Sequence, residues 1–288
     1  MIAAGMGVLA DRYDGFILDL WGVLHDGAAA YPGAVETLAR LHGQGKATLL
    51  LSNSPRRAAD LVTMMGEMGF SRDSYGGIIS SGEAVHGALA RRDDPWFAAL
   101  GRRCLHLGPS RDLPIFDGLD LQRVTQLADA DFILNSGPGD WHETLDDYRP
   151  LLTAAAARGL PMICANPDLV VVHKGHSMIC AGALARHYQA LGGEVRYRGK
   201  PDPAIYDLCL QAMGLSDRRR VLAVGDGLET DVAGADGAGI DSLLCTGGVH
   251  AAELGIAWGE RPSEDHLRAL FAAHGGRHPT AVIPAFVW

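Results

Sequence analysis

Asp19, Ser52, Asn53, Lys200, Asp226 and Asp231 are the residues of this 288-residue chain whose types and settings could do chemistry. Each lies at or near the end of an apolar run. Asp19 follows Phe16-Ile17-Leu18 and precedes Leu20-Trp21-Gly22. A carboxylate at a strand end, followed by glycine, can project into a crevice as a nucleophile or metal ligand. The same residue also serves as an ordinary turn or cap. Ser52 and Asn53 close the run Ala-Thr-Leu-Leu-Leu. Hydroxyl, amide and exposed backbone N–H groups there can hold phosphate oxygens, or simply close a turn through local side-chain bonds. Lys200, in Arg-Gly-Lys-Pro-Asp-Pro, can bring a point charge to a phosphate and to a nucleophile. A solvated surface lysine is its plainer reading. Asp226 directly follows Val-Leu-Ala-Val-Gly, and Asp231 comes five residues later at the start of a helical pattern. Two carboxylates so placed suit direct and water-mediated contacts to Mg²⁺, a hard ion with oxygen ligands. A dinucleotide loop competes, because Gly225-x-Gly227 follows a strand. Thr230 stands where that loop needs its third glycine, and Asp226 and Glu229 would repel a pyrophosphate.

Residues so far apart in sequence need a fold that brings strand ends to one edge. Short apolar runs ending in Gly, Asn or Asp alternate with helical patterns along the chain: GFILDL, ATLLLSN, RCLHLG, ADFILNSG, LPMICANPD and RVLAVGDG. Helical patterns cover Gly33 to His42, Thr144 to Arg158 and Pro203 to Met213. Such alternation predicts a parallel sheet with helices on both faces. In open sheets of that kind, ligands bind beyond the carboxyl ends of the strands. The interval between Ser52 and Lys200 carries its own β-α-β pattern. The expected organisation is therefore an α/β core over 1–81 and 197–288, a doubly wound parallel sheet of flavodoxin or Rossmann type, with an α/β domain inserted over 82–196. The apolar tail HPTAVIPAFVW is expected to pack down on the core.

Bulk properties narrow the function. Hydrophobic residues make up 48% and charged residues 20%, enough to bury a sizeable core. A net charge of −9 argues against nucleic-acid binding, which needs a basic face. Five dispersed cysteines without a C-x-x-C pair read as buried thiols of a reducing compartment. The start lacks the features of a signal peptide, and no stretch is long and apolar enough to span a membrane. A cytoplasmic protein is expected.

Four segments taken in order, DLWGVLHDG, LLLSNS, GKPDPAIY and VGDGLETDVAGA, resemble the haloacid dehalogenase superfamily of aspartate-nucleophile hydrolases. They are most similar to its class IIA branch of sugar-phosphate, nucleotide and pyridoxal phosphate phosphatases. ANPDLVV resembles a segment at the cap–core boundary of that branch. The resemblance implies a C2-type cap on the core and hydrolysis of a small phosphomonoester through an aspartyl-phosphate on Asp19. It implies Mg²⁺ held by Asp19, the backbone carbonyl of Trp21 and Asp226, with Asp231 acting through water. Ser52 and Lys200 would bind the transferring phosphoryl group, and Asn166 and Asp168 could reach substrate from the cap boundary or form a structural turn. Cap-mediated homodimers are common among similar proteins.

At the first motif the sequence departs from the family's phosphatases, which read Asp-x-Asp. Here it reads Asp19-Leu20-Trp21. The second Asp normally protonates the leaving oxygen and then activates water. Indole does neither, and losing a general acid/base costs about 10²–10⁴-fold. His25 or Asp26 could take over. Alternatively the leaving group needs no acid, or the protein binds phosphorylated ligands with little turnover. Dehalogenases of the superfamily also carry an aromatic residue here, but they dispense with the metal and lack the acidic pair. The twelve histidines show no metal-ligand spacing. Arg56 and Arg57 read as solvated residues at a helix start, and Gly137-Pro138-Gly139 as a turn of the inserted domain.

Overall fold

The computed structural model describes residues 1–173 and 176–288. Three strands come first: β1 (Gly15–Leu18), β2 (Ala47–Ser52) and β3 (Ile78–Ser80). Next are β4 (Arg103–Leu107), β5 (Gln122–Val124), β6 (Phe132–Asn135) and β7 (Met162–Cys164). They are followed by β8 (Val170–His173), β9 (His176–Ile179) and β10 (Val195–Tyr197). The chain then returns to the first sheet with β11 (Val221–Gly225), β12 (Asp241–Cys245) and β13 (Ala281–Ile283).

Six of these strands form one sheet in the order β13-β12-β11-β1-β2-β3, and all its pairings are parallel. Numbered within the sheet this is 6-5-4-1-2-3, the doubly wound Rossmann order rather than the flavodoxin order. Alternate side chains of one strand enter two different cores, as the pleat requires. Phe16 and Leu18 pack with Leu38, Leu41, Leu61 and Met65 from the helices Ala34–Gly43 and Ala58–Glu67. Ile17 points the other way, toward Ile205, Tyr206 and Cys209 of the helix Pro203–Met213. That helix begins where the sequence dictates: the Asp202 side chain accepts the Ala204 N–H at 3.0 Å, and Pro203 occupies the first turn.

A second parallel sheet, β10-β7-β6-β4-β5, is built from strands between residues 103 and 197. It too is covered on both faces, by Leu184 and Tyr188 of the helix Ala181–Ala190 and by Val85 and Leu89 of the helix Ser81–Arg91. Strands β8 and β9 form a separate antiparallel pair, with Val172 opposite Ser177. The tail packs down as expected, and also adds a strand: β13 pairs with β12 and Phe286 is fully buried. The five cysteines are buried free thiols. Among the described residues, no helix is long and apolar enough to cross a membrane.

Candidate active site

Strand order reverses between β1 and β11, and a crevice opens beyond the carboxyl ends of strands at such a point. Asp19 leaves β1 there and Asp226 leaves β11. The Asp19 N–H still donates to the Val224 carbonyl at 2.9 Å, so the ladder holds the backbone on which the carboxylate is mounted. Lys200 reaches in from the end of the second segment. Its Nζ lies 2.6 Å from Asp19 Oδ1 and 2.8 Å from Asp231 Oδ1, and the lysine side chain is only 3% exposed. The three distant motifs therefore meet at one buried ammonium.

Asn53 is what aims that lysine. Its Oδ1 accepts the Lys200 N–H at 2.8 Å, and its Nδ2 donates to the Lys200 carbonyl at 3.1 Å and to Asp168 Oδ1 at 2.8 Å. Ser81 Oγ donates to the same Oδ1 at 3.2 Å. Both ends of the amide are thus engaged in positioning Lys200. Gly199 makes the approach possible: at φ +125, a Cβ there would stand 2.0 Å from Ser81 Oγ. The Ser52 hydroxyl accepts the Ser54 N–H at 3.1 Å, the bond of an ordinary turn, while the residue also lines the crevice.

Asp19, Asp226 and Asp231 offer carboxylate oxygens that all lie within 4.8 Å of one another. Asp226 sits between two glycines, where a Cβ on Gly22 would come 1.9 Å and one on Gly248 2.1 Å from its Oδ2. The Val249 N–H donates to that oxygen at 2.7 Å. Asp231 Oδ2 accepts the Gly227 N–H at 3.1 Å, and Tyr206 donates its hydroxyl to the Asp231 carbonyl at 3.1 Å. Burial pushes the Asp19 carboxyl up to about 7, with repulsion from Asp231 adding to it and Lys200 opposing. Burial, then the charges of Asp19 and Asp231, drive Asp226 well above the ordinary range. Three carboxylates face one ammonium, which leaves two negative charges when all are ionised. A divalent cation bound by hard oxygen donors matches that excess in charge and in chemistry.

Trp21 turns away from acid/base work. Its ring lies over Gly27, where a Cβ would stand 2.1 Å from the ring edge, and its Nε1–H donates to the Val172 carbonyl of β8 at 2.9 Å. Of the two residues expected to substitute for the missing carboxylate, Asp26 is tied to its own loop and His25 is bonded at one ring nitrogen. His25 is buried against Trp21 at 5.7 Å between ring centroids, and its Nδ1 accepts the Gly27 N–H at 3.0 Å. Burial holds the imidazole down to about 4, so it is neutral near pH 7. Asp26 Oδ1 accepts the N–H groups of Ala28 and Ala29 at 2.8 and 2.9 Å. Burial raises that carboxyl, but these bonds outweigh it and hold the group below its usual range.

One cavity of about 1150 Å³ is lined by all of Asp19, Ser52, Lys200, Asp226 and Asp231, and by Asn166 and Asp168. Asn166 Oδ1 accepts the Asp168 N–H at 3.1 Å, a local turn that leaves Asp168 facing Asn53. The outer wall comes from the second sheet and from β8 and β9: Arg111, Trp141, Val172 and Met178 line it, as does Arg56 from the loop after β2. Arg57 is diverted to Glu83 at 2.8 Å. Gly137 and Gly139, expected to form only a turn of the inserted unit, line the cavity as well.

The segment after β12 escaped the sequence reading. Besides Val249, it supplies His250, whose Nε2 accepts the Leu228 N–H at 3.3 Å and whose Nδ1 lies 3.4 Å from Glu253 Oε2. His274 Nε2 lies 3.2 Å from the same oxygen. The group has the residue types of a metal site. With Nε2 accepting, however, the His250 proton sits on Nδ1 toward Glu253, so the group buttresses the acidic loop by hydrogen bonds. Its only sequence signal was the Thr-Gly-Gly-Val-His run past a strand.

Known proteins resemble this chain in sequence and fold. A family model described as haloacid dehalogenase-like hydrolase matches residues 16–122, and one described as HAD-hydrolase-like matches 197–269. The D-glycerol 3-phosphate phosphatase of Mycobacterium tuberculosis is 28% identical over 273 residues, covering 93% of this chain and 71% of that protein. The crystal structure of the glycerol phosphate phosphatase from the same organism in complex with magnesium shares the fold, with a TM-score of 0.67 at 24% identity, covering 95% of this chain and 75% of that one. The crystal structure of a haloacid dehalogenase-like family hydrolase from Brucella suis is 36% identical, with a TM-score of 0.83, covering 99% of this chain and 100% of that one. At that identity over the whole length, with the two family models spanning the segments that hold Asp19, Ser52, Lys200 and Asp226, the chain belongs to the haloacid dehalogenase-like hydrolase family.

Proposed function

We propose that the chain is a Mg²⁺-dependent phosphatase that hydrolyses small phosphomonoesters through an aspartyl-phosphate on Asp19. The observation that carries this is the buried Lys200 ammonium, bonded to Asp19 and Asp231 at the floor of the cavity. Phosphoryl transfer asks mainly for positioning and charge neutralisation, and these groups provide both. Asp19 attacks phosphorus, and the P–O bond to the leaving group breaks. Lys200 holds a phosphoryl oxygen with the Ser52 hydroxyl, Asn53 keeps Lys200 in place, and Asn166 and Asp168 face the substrate from the cap boundary beside Lys200. Asp19, Asp226 and the Trp21 backbone carbonyl would hold Mg²⁺, with Asp231 acting through water; when bound, the ion neutralises charge on the phosphoryl group. Residues 1–81 and 197–288 form the catalytic core in this reading, and 82–196 a cap that excludes water. The phosphatase names of relatives support it.

The test is a panel of phosphomonoesters assayed with Mg²⁺ and with chelator. Turnover is expected with Mg²⁺, with loss in chelator and recovery on adding the ion back. Halide release from haloacids that survives chelator would instead favour a metal-free dehalogenase, a reading that leaves Asp226 and Asp231 without a role. A second reading, a phospho-ligand-binding protein with little turnover, draws on the locked Trp21; phosphate-mimic binding without turnover on any substrate would select it.

The same carboxylates set a pH dependence. Asp19 is raised from about 4, the value in the unfolded chain, to about 7 in the fold. The metal-free fold therefore holds protons that the unfolded chain releases, and its stability falls as pH rises from about 4 to about 7. A bound cation takes the place of those protons. Thermal unfolding should show a larger stabilisation by Mg²⁺ at pH 8 than at pH 5.5. Equal shifts at the two pH values would mean that the ion does not displace protons from this cluster.

A further inference from the structure

Trp21 stands two residues after Asp19, where the family resemblance implies the residue that protonates the leaving group, and its surroundings are built for it. Gly27 leaves room for the ring, and the Val172 carbonyl takes the indole N–H at 2.9 Å. A side chain fixed at both ends, with no proton that titrates in water, is no acid. The neighbouring candidates do not stand in for it. His25 is buried against the Trp21 ring with its Nδ1 bonded to the Gly27 N–H, and Asp26 is tied to its own loop. Asp168 lies on the Lys200 side, bonded to the amide that holds the lysine. The cavity wall also carries two cations that an anion could meet, Arg56 and Arg111, the latter stacked 4.5 Å over the Trp141 ring, among the acids Asp112, Asp140, Glu143 and Glu229.

We infer that this site, taken as the phosphatase proposed above, is specific for phosphoryl groups on leaving groups that depart as stable anions. These are phosphoric anhydrides and acyl, enol and aryl phosphates rather than esters of alkyl alcohols. The first step then balances without a general acid. An Asp19 oxygen forms a bond to phosphorus, the P–O bond to the leaving group breaks, and its electron pair stays on the departing oxygen. That oxygen leaves as an anion into a cavity lined by Arg56 and Arg111. In the second step a water oxygen bonds to phosphorus, the Asp19–phosphorus bond breaks, and the carboxylate is restored. The water proton passes to a phosphoryl oxygen of the product.

Steady-state kcat/KM with Mg²⁺ on acetyl phosphate, a series of aryl phosphates graded in phenol acidity, and glycerol phosphate tests this. The alkyl ester is expected to be slower by about 10²–10⁴-fold, the scale of a missing general acid, with a steep graded decline through the aryl series. Trp21→Asp should flatten that decline by raising the alkyl rate, whereas Trp21→Phe should keep it steep. A wild-type enzyme equally fast on alkyl and acyl phosphates overturns the inference and leaves the phosphatase reading intact. No hydrolysis of any substrate, with no phosphoryl mass on Asp19, removes the phosphatase reading and the inference with it. The wild-type series decides the matter even where a Trp21 variant does not fold.

Discussion

An Asp19→Asn variant is expected to fold and to lose on the order of 10⁴-fold or more of the wild-type turnover, the scale seen when a covalent nucleophile is removed. The amide keeps the shape of the carboxylate but cannot form the acyl-phosphate bond. The effect on stability should run the other way. Asp19 is buried beside two further carboxylates, and its own carboxyl is driven up by burial and by Asp231. Removing that charge relieves repulsion, while Lys200 keeps Asp231 at 2.8 Å. In chelator, the variant should therefore melt no lower than wild type above pH 7, and its stability should depend less on pH between about 4 and 7. Paired measurements of kcat and thermal unfolding check both halves. Full turnover in a folded variant would remove Asp19 from the chemistry altogether.

Much of this site was legible because each part carries a strong local signal. The runs GFIL and VLAVG are apolar without alternation, as strands buried on both faces must be, and each ends in the carboxylate that the crevice uses. The helix Pro203–Met213 appears at the limits its Asp202 cap and Pro203 imply. Elements of three residues were harder. Strands β3, β5, β10 and β13 span too few residues for a period to show, and all four lie at sheet edges, where neighbours rather than local pattern fix the pairing. The Rossmann order itself needs long-range pairing that no local run encodes. Strand β8 meets the loop after β1 through the Trp21 bond to Val172, which joins residues 151 apart.

Function was read less completely than position. Asn53 looked like a phosphate ligand because an amide at a strand end can be one. Only the structure shows that both ends of that amide are bonded to Lys200, Asp168 and Ser81. His25 looked like a replacement acid because its unperturbed pKa suits the task. Burial removes that property, and burial is a tertiary fact. In the Thr-Gly-Gly-Val-His segment the histidine was visible, but the backbone N–H that Val249 gives to Asp226 was not. In each case the residue type was visible and its partner was not.

Lys200→Met should be the variant that costs both fold and function. The methionine matches the length of the lysine stem, so packing is largely kept and the lost charge is what is measured. Without the ammonium, Asp19 and Asp231 lose the bonds at 2.6 and 2.8 Å in a site where each side chain is 8% exposed. Removing one partner of a buried ion pair typically destabilises by about 3–5 kcal/mol. At roughly 2–4 °C per kcal/mol for a chain approaching this size, the melting temperature should fall by about 6–20 °C. Turnover should fall on the order of 10²–10³-fold from the lost phosphoryl contact. The loss of stability has a sign that identifies its cause. Lys200 opposes the rise of the Asp19 carboxyl, so without it Asp19 protonates more readily and the gap to wild type should narrow as pH falls toward 5. Adding Asp19→Asn to Lys200→Met should recover part of the stability and none of the activity, a non-additive result expected of groups in direct contact. If the two changes add independently in both measurements, the ammonium is not what holds these carboxylates together.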